Sequence, residues 1–226
     1  MYRHRYIEEQ IAKEGIKKAI FKFIIGLFVS FVTMTLVYSV EKLTIFLDSN
    51  KKELITLLAL FPIVFTFAIS KVSTRFMKFF MGIYVIVAGF FFVYPLYKYG
   101  FNLFLMAMGA SAIIFSTMCL YANKTSEDLE RERVLLKISL FFLIGTYLVN
   151  MYFGVYILHW ILAYWALITF TGLIGYDFQH FKKELTEASI NDDLFERVSL
   201  TGTLHFYMNF MIMTLVLLNI FGKILN

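Results

Sequence analysis

The sequence predicts an all-α membrane protein with seven transmembrane helices. Three observations lead there. Of 226 residues, 60% are hydrophobic and 16% charged, against about 25% charged in an ordinary soluble domain. Seven segments, roughly 20–40, 54–70, 79–97, 101–121, 134–153, 156–176 and 200–222, approach the length of apolar chain that spans a bilayer. Basic residues crowd into alternate connections, as they do in polytopic proteins. This composition excludes a water-soluble domain, which needs far more polar surface. It also excludes a disordered chain, which is charged and poor in aromatics. The single cysteine, Cys119, excludes an internal disulfide framework and a multi-cysteine metal site.

The elements follow in order. Residues 1–19 form a charged cytoplasmic segment, and 20–226 a single seven-helix domain. Ile7, Ile11 and Ile16 sit among the charges of the first segment. Two readings of it stand: a short helix on the inner membrane surface, or a frayed tail. No small-residue cleavage site follows the first apolar run, so that run is read as a retained helix. The second run is short and holds Pro62, which predicts a kink. The third ends near Pro95, and the fourth carries Cys119 as an inert apolar thiol. Thr125, three residues before Asp128, predicts a capping-box-like start to the fifth. His159 and Trp160 read as interface anchors near the outer end of the sixth. The seventh carries Thr201, Thr203, His205, Asn209 and Thr214, more polar groups than a lipid-facing helix should bear, so it is expected to be the most enclosed.

The basic residues orient the bundle. Arg3, Arg5, Lys13, Lys17, Lys18, Lys71, Arg75, Lys78, Lys124, Arg131, Arg133, Lys182, Lys183 and Arg197 fall on one side, and Lys42, Lys51, Lys52, Lys98 and Lys223 on the other. The richer side is cytoplasmic, which places the N-terminus inside and the C-terminus outside. The net charge of +5 then reflects topology and contact with anionic lipid. It forms no stripe, so no nucleic-acid partner is expected.

No HExxH, Gly-rich phosphate loop or GxSxG is present, and the four histidines share no metal-ligand spacing, so the chain is read as not an enzyme and without a resident metal. The informative groups are those that enter the membrane. Asp177 directly follows the sixth apolar run, where a lone carboxylate is costly unless it faces water or a partner. Either it faces a polar path, or it is interfacial and paired with Lys182 or Lys183. His205 and Asn209 lie four residues apart on one helix face, which can turn toward Asp177. His205 is either a proton-sensitive group or a satisfied core histidine. Asn150 and Asn209 are either path-lining amides or helix-to-helix glue.

These residues carry a resemblance. The stretch Phe170-Thr171-Gly172-Leu173-Ile174-Gly175-Tyr176-Asp177-Phe178-Gln179-His180-Phe181-Lys182 resembles the sixth-helix motif FTGLxxYDxQxxK of the transmembrane Bax inhibitor motif family. Phe206-Tyr207-Met208-Asn209-Phe210 is similar to the LYLDF part of its seventh helix. Tyr121 to Leu129 resembles its YGxxTKxDL loop, and Leu148-Val149-Asn150 its fifth-helix LVN. Ala88-Gly89 to Pro95 is similar to its NG…SP third helix, with the Asn and Ser missing.

The resemblance implies a central seventh helix surrounded by six others. It implies a pH-sensitive calcium leak, with calcium as cargo and no cofactor, in which two aspartates share a proton at the cytoplasmic end of the path. Asp177 matches the first; the second is Asn209 here. It implies a basic latch near Arg75 or Lys71, and Asn150 as a supporting polar group. It also implies a bacterial cytoplasmic membrane and a partner, a membrane-embedded AAA protease of the FtsH kind. Two carboxylates in contact cannot both ionise easily, which makes a proton switch. An aspartate–asparagine pair bonds without the extra proton. The leading expectation is therefore a cation leak with Asp177, Asn209 and His205 at its gate. The alternative is a non-transporting regulator of a membrane protease or stress response.

Overall fold

The computed structural model describes residues 2–40, 73–125 and 127–224. Within them six long α-helices follow in order: α1 (Tyr2–Tyr38), α2 (Thr74–Tyr99), α3 (Phe101–Lys124), α4 (Arg133–Phe153), α5 (Tyr156–Glu187) and α6 (Asp192–Ile224). Short 3-10 turns, Leu129–Glu132 and Ala188–Ile190, precede α4 and α6. No strand occurs among the described residues. Five stretches are long and apolar enough to cross a membrane: Gln10–Tyr38 and the whole of α2, α3, α5 and α6. The second expected span, 54–70 with Pro62, lies outside the described residues, as does Lys71. The fifth expected span is the helix α4, which is not among those five.

Several boundaries differ from the sequence reading. α1 is helical without a break from Tyr2, so the charged start and the first apolar run are one helix. α2 runs through Pro95 and ends at Tyr99, where Gly100 takes φ 82° and donates its N–H to Leu96 O at 2.9 Å. A proline in the last turns of a helix sacrifices one hydrogen bond and leaves the rest of the ladder intact. The capping box before α4 does not form. Thr125 Oγ1 accepts from Glu127 N at 3.2 Å, and Asp128 Oδ1 accepts from Glu130 N at 3.0 Å, which caps the 3-10 turn instead. α5 continues past Tyr176 to Glu187.

The chain divides into two compact units, Met1–Phe101 with Phe181–Met208, and Asn102–His180 with Asn209–Asn226. In the first unit α1 buries one seam: Ala12, Gly15, Ala19, Phe23, Gly26, Ser30, Met34 and Val37. Steps of three and four keep these on one face, and the small residues let helices approach closely. α2 packs against α1, with Val85 beside Gly26 and Ser30 and with Gly89 against Ser30 and Thr33. Ser30 Oγ donates to Val85 O at 2.7 Å and also pairs with Tyr207 Oη. That hydroxyl network satisfies polar groups that lipid could not. At one end of the unit, Lys22 and Lys78 both reach Glu196 Oε1, at 2.8 and 3.1 Å.

In the second unit α3 buries Phe104, Ala107, Ser111 and Phe115. Phe115 meets Phe210 edge-on at 6.3 Å, and Thr214 Oγ1 donates to Ser111 Oγ at 3.1 Å. α4 is held to α5 by Trp165 Nε1, which donates to Ser139 Oγ at 2.8 Å, and by the Ser139–Thr169 hydroxyl pair at 2.8 Å. α4 ends at Gly154, whose φ of 65° is left-handed, the conformation that terminates a helix with least strain in glycine. In the most apolar stretch of α6, 61% of residues are buried, the largest share of the five candidate spans.

Candidate functional site

The polar residues of α5 and α6 are held by helices whose apolar neighbours leave them no freedom to leave. Around Asp177 on α5, Ile174, Tyr176 and Phe178 are buried, which fixes the rotation of the helix. On α6, Phe210, Met211 and Met213 do the same around Asn209. Both side chains belong to the second unit. Asn209 is 7% exposed and Asp177 half-buried. Asn209 Nδ2 donates to Asp177 Oδ2 at 2.6 Å. When the carboxyl is ionised, such a hydrogen bond is charge-assisted and correspondingly strong. With its N–H on the carboxylate, the amide turns its own oxygen elsewhere as an acceptor. The facing pair holds one ionisable carboxyl group, not two.

The turn of α5 beyond Asp177 is tied down by side chains. Gln179 Oε1 accepts from Leu129 N at 3.0 Å, and Gln179 Nε2 donates to Ala122 O at 3.2 Å and Glu127 O at 3.0 Å. One carboxamide thus clamps the connection between α3 and α4 to α5. His180 stacks on Tyr176 with ring centroids 5.6 Å apart, and its Nδ1 lies 3.5 Å from Glu130 Oε1. The sequence reading missed this clamp. Gln179 stands in the quoted motif, but nothing local in the sequence says which backbone a carboxamide reaches.

Asn150 is 3% exposed and lies 3.1 Å, Nδ2 to Nδ1, from His159, across the Gly154 turn. His159 thus has a polar partner on α4. His205 lies in the first unit, on α6, and is half-buried. Arg75 is exposed in the first turn of α2. Its neighbours on that helix are engaged in the first unit: Thr74 donates to Asp193 Oδ1 at 2.6 Å, and Lys78 pairs with Glu196. No group of three or more His, Cys, Asp or Glu suited to a metal ion occurs among the described residues.

The chain matches the family described as "Inhibitor of apoptosis-promoting Bax1" over residues 13–226. It is 32% identical over 114 residues to the inner membrane protein YbhL of Escherichia coli, covering 50% of this chain and 49% of that protein. It is 28% identical over 131 residues to an uncharacterized protein of Borreliella burgdorferi, covering 58% and 56%. It is 27% identical over 148 residues to an uncharacterized protein of Chlamydia muridarum, 62% of each. The chain thus spans about half the length of the first of these relatives. A match over nearly the whole chain, on a structure of long apolar helices, places this protein in the Bax inhibitor family of membrane proteins.

Proposed function

We propose that this protein is a non-enzymatic cation leak of the Bax inhibitor type, seated in a bacterial cytoplasmic membrane. The observation that carries the reading is the hydrogen bond of 2.6 Å between Asn209 and Asp177. It holds a half-buried carboxylate at a defined place among apolar helices, and an ionisable group there is a functional group by default. Asp177 attracts the ion, and Asn209 orients the carboxylate. The full bundle has seven spans around the last helix, a reading supported by the high buried share of α6. The printed name of the Escherichia coli relative supports the inner-membrane location. The distribution of basic residues supports an inside N-terminus and an outside C-terminus. Arg75 or Lys71 serves as the basic latch, and Asn150 as a supporting amide.

The leak falls in acid. Protonating Asp177 removes the charge that attracts the ion. Calcium is the cargo that the family resemblance implies. A regulator of a membrane-embedded protease of the FtsH kind, or of a stress response, is the competing reading, and ion flux separates the two. Purified protein in liposomes passes cations above the protein-free level, and Asp177→Asn lowers the flux about tenfold or more, the effect of about 1.4 kcal/mol. Equal flux with and without protein overturns the leak, and an unchanged flux in Asp177→Asn overturns the role of the carboxylate.

A further inference from the structure

We infer that Gln179 is a positioning residue for Asp177: by gripping the connection between α3 and α4 it sets the rotation of α5 that keeps the carboxylate on Asn209. The inference deepens the leak reading and rests on it for its functional arm. Gln179 stands two residues beyond Asp177, about 200° around a helix, so the two side chains leave α5 on nearly opposite faces. All the groups concerned belong to the second unit.

The face of Gln179 is built for close approach. Gly172, Gly175 and Gln179 follow at steps of three and four and share it. A Cβ on Gly172 would meet Leu136 Cδ2 at 2.8 Å, and one on Gly175 would meet Met118 Cε at 3.0 Å and Leu129 Cδ1 at 3.5 Å. The glycines bring α3, the connection and α4 close without supplying a grip of their own. Gln179 supplies it. Its Oε1 accepts from Leu129 N, the first amide of the 3-10 turn, and its Nε2 donates to Ala122 O in the last turn of α3 and to Glu127 O. Helix ends leave such groups without partners in the helix, so one carboxamide joins two ends and ties both to α5. His180 Nδ1, 3.5 Å from Glu130 Oε1, reaches the same connection.

The rotation matters because the bond on the other face is short. Side-chain atoms stand about 5–6 Å from a helix axis, so turning α5 by about 20° carries the Asp177 carboxylate about 2 Å. Such bonds work at about 2.7–3.2 Å, and a shift of this size takes the 2.6 Å bond from Asn209 Nδ2 out of range. The buried apolar neighbours Ile174 and Phe178 set the rotation only coarsely, since apolar contacts are non-directional. The hydrogen bonds of Gln179 are directional and set it finely.

The test reads the Asn209 side chain itself. In protein carrying isotope-labelled asparagine and leucine, hydrogen exchange of the Asn209 carboxamide and of the Leu129 amide is followed in detergent. Gln179→Met keeps the length of the side chain and removes its donors and acceptor. The expected result is exchange at least about fivefold faster at both places, the loss of about one hydrogen bond at each. In liposomes the same variant passes cations at least about fivefold more slowly, and adding Asn209→Ala lowers the flux no further, because both act through one bond. Faster exchange at Leu129 with Asn209 unchanged overturns the positioning role and leaves a clamp on the connection alone. Unchanged exchange at both overturns the clamp as well. Losses of flux that multiply in the double variant overturn the route through Asn209. A wild type silent in liposomes overturns the leak, and the exchange at Asn209 still decides the positioning. Should Gln179→Met fail to fold, Gln179→Glu keeps the acceptor for Leu129 N and removes both donors; faster exchange at Asn209 supports the inference and unchanged exchange overturns it.

Discussion

Replacing Gly89 by alanine puts a methyl group where α1 already lies. A Cβ at this position meets Ser30 O and Thr33 Cβ at 2.7 Å each, and Ser30 Cα at 3.1 Å. Carbon contacts are ordinarily about 3.5–4.0 Å, so α2 must retreat from α1 by close to an ångström. The atoms met are backbone and a β-carbon, which have no rotamer to escape into. The retreat also strains the Ser30–Val85 hydrogen bond of 2.7 Å, one turn away. Overpacking of this kind costs about 1–3 kcal/mol, and a weakened buried hydrogen bond about 0.5–1.5 kcal/mol more. Against this, alanine gains about 1 kcal/mol over glycine in a helix. The balance is a loss of about 0.5–3.5 kcal/mol. Gly82, on the same helix, has nothing within 4 Å of its Cβ position. There Gly→Ala keeps the propensity gain alone, about 0.5–1 kcal/mol. The assay is heat stability in detergent, read as the temperature at which half of the monodisperse protein is lost. Gly89→Ala lowers that temperature and Gly82→Ala raises it. A Gly89→Ala protein as stable as the wild type refutes the close approach of α1 and α2, and so does an equal loss in both variants.

Three further outcomes are expected. Glu196→Gln removes the carboxylate shared by Lys22 and Lys78, and Lys22 and Glu196 are each only 27% exposed; stability falls by about 1–2 kcal/mol, and the wild type loses more of it in high salt than the variant does, a difference whose absence shows that the pairs contribute nothing. Gln179→Ala removes three hydrogen bonds to the connection between α3 and α4, so the amide of Leu129 exchanges its hydrogen at least about fivefold faster, at about 1 kcal/mol per bond lost; unchanged protection rejects the clamp. A reporter fused after Asn226 reads outside the cytoplasm, while one ahead of residue 20 reads inside; the opposite pattern rejects the orientation drawn from the basic residues.

The helices in the described residues were legible in the sequence because an apolar run is a local property, and lipid rewards it residue by residue. The runs at 79–97, 101–121, 134–153, 156–176 and 200–222 fall within α2 to α6, and the run at 20–40 ends two residues past α1. Asp177 and Asn209 were likewise legible, since polar groups stand out in apolar sequence. Helix ends were not. Hydropathy reports on the solvent, whereas a helix continues as long as its backbone bonds do, so α1 begins at Tyr2 and α5 reaches Glu187. Partners distant in sequence were not legible either. Lys22 and Glu196 are 174 residues apart and Gln179 and Leu129 are 50 apart, and no local pattern distinguishes them from other charged or amide residues. The seam of Ala12, Gly15, Ala19, Gly26 and Ser30 was present at helical spacing, but a small residue marks a contact only when another helix lies against it. Gly82 and Gly89 look alike in the sequence; Gly89 alone has the backbone of α1 against it, and that proximity is decided by tertiary packing, which no single segment encodes.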